Sequence, residues 1–391
     1  MEYQHGGDIY TNSVTLDYSA NINPLGLPRG VREAVLRTID TCCCYPDSRN
    51  QRLRERIATF HRIEPEEVIC GNGAADLIFQ IVQARKPKEA LLLAPSFAEY
   101  EQALHAVGCK ITYYDLKASN GFMLSLQELA KWLKWNGKKI QMLFLCNPNN
   151  PTGLVVTKEE IEDLLIVCRE QGIFCVIDEC FNEFLDEPDR YSILSQIQSG
   201  NYDHVFLLKA FTKIYAMAGI RLGYGICKNV SVLDQMNGIR QPWSVSSFAQ
   251  AAGEAALSET GYVEETRALI STERAYLKEM LKNMGFCVFD SKANYIFFRD
   301  TREEACKKEQ LLYKELLHEK VLIRSCSNYR GLDDTYYRIC VKKRKENERF
   351  LAVLKSIITE GKQINGKDNY DTGNDVKCRK ESDHGRALPH I

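Results

Sequence analysis

The chain carries almost no net charge: 51 lysines and arginines stand against 52 aspartates and glutamates among 391 residues. That balance removes the electrostatic footprint expected of a protein that holds nucleic acid or an anionic membrane. No apolar run is long enough to span a bilayer, and the opening MEYQHGGDIY is too polar and acidic for a secretory signal. Metal-binding spacings are missing as well. None of the 15 cysteines falls in a C-x-x-C pair, and the seven histidines show neither H-x-x-x-H nor H-E-x-x-H. Cys42, Cys43 and Cys44 are contiguous and cannot all turn to one ion without strain. An odd number of cysteines, scattered through apolar segments, reads as reduced thiols in a cytoplasmic protein. Internal repeats are also absent.

What is present is a long alternation of strands and helices. A turn-rich arm covers the first thirty residues, and Pro28 opens a helix with Val31, Val35, Leu36 and Ile39 on its apolar face. After a second helix at 51–60, short apolar segments at 68–70, 90–94, 110–115, 141–147, 173–179, 204–211 and 222–227 read as strands. Helical stretches at 74–83, 98–107, 126–135 and 157–171 separate several of them, the last opened by a Thr157…Glu160 capping box. This predicts an α/β fold with a mostly parallel seven-stranded sheet covered on both faces. Helices at 246–257 and 262–284, then strand pieces near 286–290, 295–298, 321–324 and 336–341 with helices at 310–319 and 345–357, predict a smaller α+β domain. The expected division is an arm with part of the small domain (1–50), a large domain (51–255), a small domain (256–360) and a disordered polar tail (361–391).

Ligands of such sheets sit at the carboxyl ends of the strands. Residues 207–225, LLKAFTKIYAMAGIRLGYG, put Lys213 at such an end, after the hydroxyl of Thr212, with Arg221 eight residues on. A lysine between an apolar strand and a Gly-rich turn is poorly solvated, so its pKa falls and its amine becomes nucleophilic. That suits a Schiff base with an aldehyde, and an arginine fork suits a phosphate. Pyridoxal phosphate needs both, with a carboxylate for its ring nitrogen. Asp178, closing the run FCVID, supplies the carboxylate. Gly73 and Ala74, in CGNGAAD, start a helix whose free N–H groups can hold the phosphate. Asn150, in NPNNPTG, is aimed back at the strand ends and can donate to the ring's phenolate oxygen. Tyr100, in PSFAEY, is the aromatic expected to stack on the ring. No metal is called for.

The order GNGA…PSFAEY…NPNNPTG…DE…TK…AGIRLGYG resembles the fold-type-I pyridoxal-phosphate enzymes of the histidinol-phosphate aminotransferase branch, from the arm to about residue 360. The resemblance implies that Lys213 is the Schiff-base lysine, Asp178 the ring-nitrogen partner and Arg221 a phosphate ligand. It implies further that Tyr45, in Tyr-Pro-Asp, reaches the cofactor phosphate of a neighbouring subunit, making the enzyme a homodimer with shared active sites. Two positions depart from the branch. Phe181 stands where a tyrosine usually shares the phenolate, and Ala210 where a hydroxyl often meets the phosphate.

Pyridoxal phosphate supplies the electron sink, and the grip on the substrate's anions decides which bond breaks. Arg324 and Arg338 are the candidate grips, because arginine forks suit both a carboxylate and a phosphate. HGG near the start, SANINPLG, FAEY and RSCSNYRGLDDTYYRICVK together resemble the threonine-phosphate decarboxylase family, and Phe181 fits that side. The resemblance implies loss of CO2 from L-threonine O-3-phosphate to give (R)-1-aminopropan-2-ol phosphate in cobalamin biosynthesis. Arg324, Arg338, His5 and Asn21 become substrate contacts by position. The alternative is an aminotransferase acting on a phosphorylated or aromatic amino acid. A transcriptional regulator's cofactor-binding domain would need a helix-turn-helix ahead of the arm, where there is no room. A catalytically silent scaffold is disfavoured by the presence of both Lys213 and Asp178.

Overall fold

In the computed structural model, which describes residues 6–200 and 202–368, the seven expected strands form a single sheet. They are β1 (Val68–Gly71), β2 (Glu89–Ala94), β3 (Lys110–Asp115), β4 (Met142–Cys146), β5 (Phe174–Asp178), β6 (Val205–Ala210) and β7 (Gly223–Ile226). Their order across the sheet is β1-β7-β6-β5-β4-β2-β3. β7 runs antiparallel to β1 and β6, and the other neighbours are parallel. Alternate residues of each strand enter different cores. Leu91, Leu93, Leu143, Leu145 and Ile177 pack on one face, and Leu92, Met142, Phe144 and Val176 on the other. Side chains of a strand point to opposite faces in turn, so burial on both sides produces unbroken apolar runs. The helix Lys158–Glu170 starts at the predicted capping box: Thr157 N–H donates to Glu160 Oε2 at 2.8 Å, and Glu160 N–H donates to Thr157 Oγ1 at 3.4 Å.

A second, four-stranded antiparallel sheet is built from Arg324–Ser325, Tyr336–Cys340, Tyr295–Arg299 and Cys287–Val288, in that order. The arm is joined to this part of the chain. Leu16–Asp17 pairs in parallel with Val321–Leu322, and Cys340 N–H donates to Tyr18 O at 2.9 Å. A two-residue strand has no readable period, which is why the arm reads as irregular from sequence.

Three other features differ from expectation. The helix Val230–Ile239 lies between β7 and Pro242, where no element was expected; Val232, Leu233 and Met236 are its buried face. Leu36 and Ile39 are not core residues: they are 50% and 56% exposed, while Val31 and Ala34 carry the burial of the helix Arg29–Thr38. The last helix, Arg344–Asp368, continues through Gly361 into the segment expected to be disordered. One glycine costs a helix only about 1 kcal/mol relative to alanine, less than a preceding packed helix can absorb. The remaining tail, with Cys378, His384 and His390, lies outside the described residues.

Candidate active site

The carboxyl ends of β2, β4, β5 and β6 face the second sheet across a cavity of ≈ 270 Å³. Lys213 enters it from the short helix Phe211–Ile214 that follows β6. The arm holds that turn in place. Asn23 N–H donates to Lys213 O at 3.2 Å, and Asn23 Nδ2 donates to Ile214 O at 2.6 Å and to Thr266 Oγ1 at 2.7 Å. Burial, reinforced by the Arg338 and Arg221 charges, pulls the Lys213 amine down to about 8. At neutral pH about a tenth of it is therefore the free amine, a large fraction for a lysine.

Asp178 closes β5 and is buried. Its Oδ1 accepts from Cys180 N–H at 2.9 Å and its Oδ2 from Tyr100 Oη–H at 2.6 Å. Burial pushes its pKa up, and the bonds from Cys180 and Tyr100 oppose that rise. A cationic ring nitrogen is the partner such a carboxylate lacks. On the opposite side, Gly73 caps the helix Ala74–Arg85 with φ +83°. A Cβ there would run into the guanidinium of Arg221. Gly223 of β7 is equally required, since its Cβ would collide with Gly73 C and Ala74 N at 2.7 and 2.6 Å. The helix N-terminus and the arginine thus share one corner, with Ala74, Ala75 and Thr212 lining it.

Arg338 Nη1 donates to Asn150 Oδ1 and Nη2 to Ser19 O at 3.0 Å. With its oxygen taken, Asn150 presents its NH2 group as donor. Arg338 Nε and Asn21 Oδ1 are buried and have no hydrogen-bond partner among the described residues. An orphaned guanidinium N–H in a cavity is a seat for an anion. Arg324 lies beside it, with Nη2 on Asn328 Oδ1 at 2.8 Å and its guanidinium 5.4 Å from the Tyr329 ring centre.

Residues 14–354 match the family model described as aminotransferase class I and II. The chain belongs to that family. Over 368 residues it is 33% identical to threonine-phosphate decarboxylase of Salmonella typhimurium, covering 91% of this chain and 96% of that protein. It is also similar to the solved structure of histidinol-phosphate aminotransferase from Clostridium acetobutylicum: TM-score 0.80, 32% identity, 88% of this chain and 99% of that one. The histidinol-phosphate aminotransferase of Sinorhizobium meliloti, solved in complex with pyridoxal-5'-phosphate, shares the fold at TM-score 0.77 and 20% identity, covering 89% and 91%.

In this class I and II cavity, nine residues singled out from sequence line one space: Asn21, Ala74, Asn150, Asp178, Thr212, Lys213, Arg221, Arg324 and Arg338. Gly73 adjoins it through Arg221. Tyr100 is a correction. Its ring is fully buried and stacks on Phe144 at 4.8 Å, so it cannot also stack on a ligand. What it offers the site is its hydroxyl, from behind Asp178. Phe97, one turn earlier, is the aromatic of this motif that lines the cavity. Its signal was available: it comes just after the carboxyl end of β2, while Tyr100 has already turned away on the helix Ala98–Ala106. Tyr45 does not line this cavity; it is 78% exposed and stacks on Trp243 with centroids 4.4 Å apart. His5 lies outside the described residues. Phe181 and Ala210 line the wall, and so do Glu99 and Tyr329, which were not anticipated.

A buried ion network also escaped the sequence reading. Lys209, 4% exposed, pairs with Glu179 at 3.1 Å and Glu183 at 2.9 Å, and Arg267 reaches Glu183 at 3.3 Å. Burial works against the Lys209 ammonium, but Glu183 and Glu179 overcome it and raise its pKa. The network ties the end of β6 to the helix Thr260–Asn283 beneath the floor carrying Lys213.

Proposed function

We propose that this chain decarboxylates L-threonine O-3-phosphate to (R)-1-aminopropan-2-ol phosphate with pyridoxal 5'-phosphate as cofactor, a step of cobalamin biosynthesis. The observation that carries the reading is the pairing of Arg324 and Arg338, the latter with an unsatisfied N–H, in the same cavity as the depressed amine of Lys213. Extensive identity to a decarboxylase of that name supports it.

The residues fit the cofactor. Lys213 would hold its aldehyde carbon, Asp178 its ring nitrogen and Asn150 its ring oxygen. Arg221, Thr212 and the N–H groups after Gly73 would hold its phosphate, and Phe97 would cover its ring. When bound, pyridoxal phosphate accepts the electron pair left as a bond at the substrate's Cα breaks. Arg324 and Arg338 fix the two anionic ends of the substrate and so select which Cα bond stands across the ring. Phe97, Phe181 and Tyr329 line the cavity and would limit water around the reacting carbon. Lys213, whose amine is held at about 8, gains and loses a proton near neutral pH and as its ammonium form would be able to return one to Cα.

An aminotransferase of the histidinol-phosphate type is the second reading, favoured by the 32% identity to the Clostridium acetobutylicum structure. Supplying L-threonine O-3-phosphate without any keto acid separates the two. The decarboxylase gives the amino alcohol phosphate and CO2, whereas the aminotransferase stalls until an acceptor such as 2-oxoglutarate is added.

We further read the enzyme as a cytoplasmic homodimer with shared sites. Tyr45 is well exposed beside Trp243, and Leu36, Ile39, Phe60 and Ile239 add exposed apolar surface. All 14 described cysteines are free thiols, and among the described residues no helix is long and apolar enough to cross a membrane. The division into arm (1–50), cofactor domain (51–255) and small domain (256–360) belongs to the same reading. Sedimentation at micromolar concentration tests the dimer, and a single monomeric species would overturn it.

A further inference from the structure

Glu99 and Asp178 are the two carboxyls among the described residues lining the cavity. Glu99 stands in the first turn of the helix Ala98–Ala106, two residues after Phe97. The titratable and charged groups facing it come from several other elements. Among the described residues they include Asp178 at the end of β5, Lys213 after β6, Arg324 on Arg324–Ser325, Tyr329 in the loop that follows, and Arg338 on Tyr336–Cys340, with Cys146, Cys180 and Arg221 further along the same lining. Burial pushes the Glu99 carboxyl up to about 7, outweighing its own backbone N–H and the Lys213 and Arg324 charges.

Two guanidiniums on one wall suit a dianion, and a fixed carboxylate beside them would repel it. A carboxyl that gains a proton as the anion arrives turns that repulsion into an O–H donor. Resting on the decarboxylase reading, we infer that Glu99 is a proton-linked binding residue: when Arg324 takes the substrate's anion, the Glu99 carboxylate takes one proton from solvent. A substrate that carries two anionic ends then meets a cavity with one negative charge fewer. Ligands that carry a single negative charge leave Arg324 to Glu99 and bind less well.

The probe is inorganic sulfate, which stays a dianion throughout the range needed and is not turned over. Calorimetry of sulfate binding to the cofactor-loaded enzyme, in two buffers of different ionisation heat, counts all protons taken up. The absorbance of the cofactor on Lys213 counts separately the share taken by that nitrogen. With its carboxyl at about 7, Glu99 holds about 0.1 proton at pH 8 before sulfate arrives, so the excess over the Lys213 share approaches about 0.9 proton. At pH 6 the carboxyl is already mostly protonated, and the excess drops to about 0.1. Glu99→Gln removes the excess at both values. Sulfate that fails to bind, a wild-type excess near zero at pH 8, an excess that does not fall at pH 6, or one that survives in Glu99→Gln each overturns the inference. The wild-type pH dependence decides alone if the variant does not fold. A failed count leaves CO2 release from L-threonine O-3-phosphate as it was, so the two readings fail separately.

Discussion

Replacing Tyr100 by phenylalanine removes one buried oxygen and leaves the ring on Phe144. That hydroxyl donates to Asp178 Oδ2 at 2.6 Å, and the acceptor is buried. A hydrogen bond to a charged group is worth about 1.5–3 kcal/mol, and leaving a buried acceptor short costs in the same range. The cofactor-free variant should therefore unfold more easily than wild type by about 1.5–3 kcal/mol at pH 7 in urea titration. The sign with pH follows from which form the bond favours. Asp178 already has a raised pKa from burial, and Tyr100 holds it down by bonding the carboxylate. Without the hydroxyl the value rises further, so the folded variant takes up its proton at higher pH. Its deficit is largest where the carboxyl is ionised and shrinks as pH falls through the raised value. Cofactor affinity should weaken in the same direction, because the ring nitrogen is held by the ionised form that Tyr100 stabilises. Identical urea midpoints and identical cofactor affinity for the two proteins would refute the reasoning. They would mean the carboxylate is held by Cys180 N–H alone.

Other consequences are equally direct. The rate at which cofactor-free enzyme captures pyridoxal phosphate should rise about tenfold from pH 7 to pH 9 and then level off, following the free amine of Lys213 at about 8. An ordinary lysine, at about 10.4, would rise nearly a hundredfold over the same span and still be rising at pH 9. Gly73→Ala forces a Cβ into a φ of +83° and against Arg221, a cost of about 1–2 kcal/mol from the backbone alone. Its cofactor affinity, read by titration, should fall by about tenfold or more; unchanged affinity contradicts the shared corner. Lys209→Met strands the Glu179 carboxylate, which is 1% exposed, and should cost about 3–5 kcal/mol in chemical denaturation. A loss below about 1 kcal/mol would show that the network relaxes around the gap.

Much of the architecture is legible before any coordinates, for identifiable reasons. Strands buried on both faces, such as 142–146 and 174–178, leave uninterrupted apolar runs, and the Thr157…Glu160 box marks its helix start residue by residue. Lys213 and Asn150 are readable because each follows such a strand within a few positions, Asp178 because it ends one, and Arg221 because it stands in the Gly-rich turn just before β7. What sequence hides is decided by long-range geometry. The arm's two-residue strand depends on a partner more than 300 positions away. Tyr100 and Phe97 sit in one short motif, and only the direction in which the helix leaves the strand tells which ring meets the cavity. Lys209 looks like a surface residue in a strand until Glu179 and Glu183 are seen folded around it. Glu99 is ordinary in the chain and unusual only once Arg324 arrives from the other sheet.

The most direct test of the whole account follows a single carbon. Cofactor-loaded enzyme is given L-threonine O-3-phosphate labelled in its carboxyl, with no keto acid present, and the label is traced by mass spectrometry. The account predicts that the label appears as CO2 in step with unlabelled 1-aminopropan-2-ol phosphate, and that Lys213→Ala yields neither. Label retained in a keto acid, formed only after an amino acceptor is supplied, would contradict it and make the enzyme an aminotransferase.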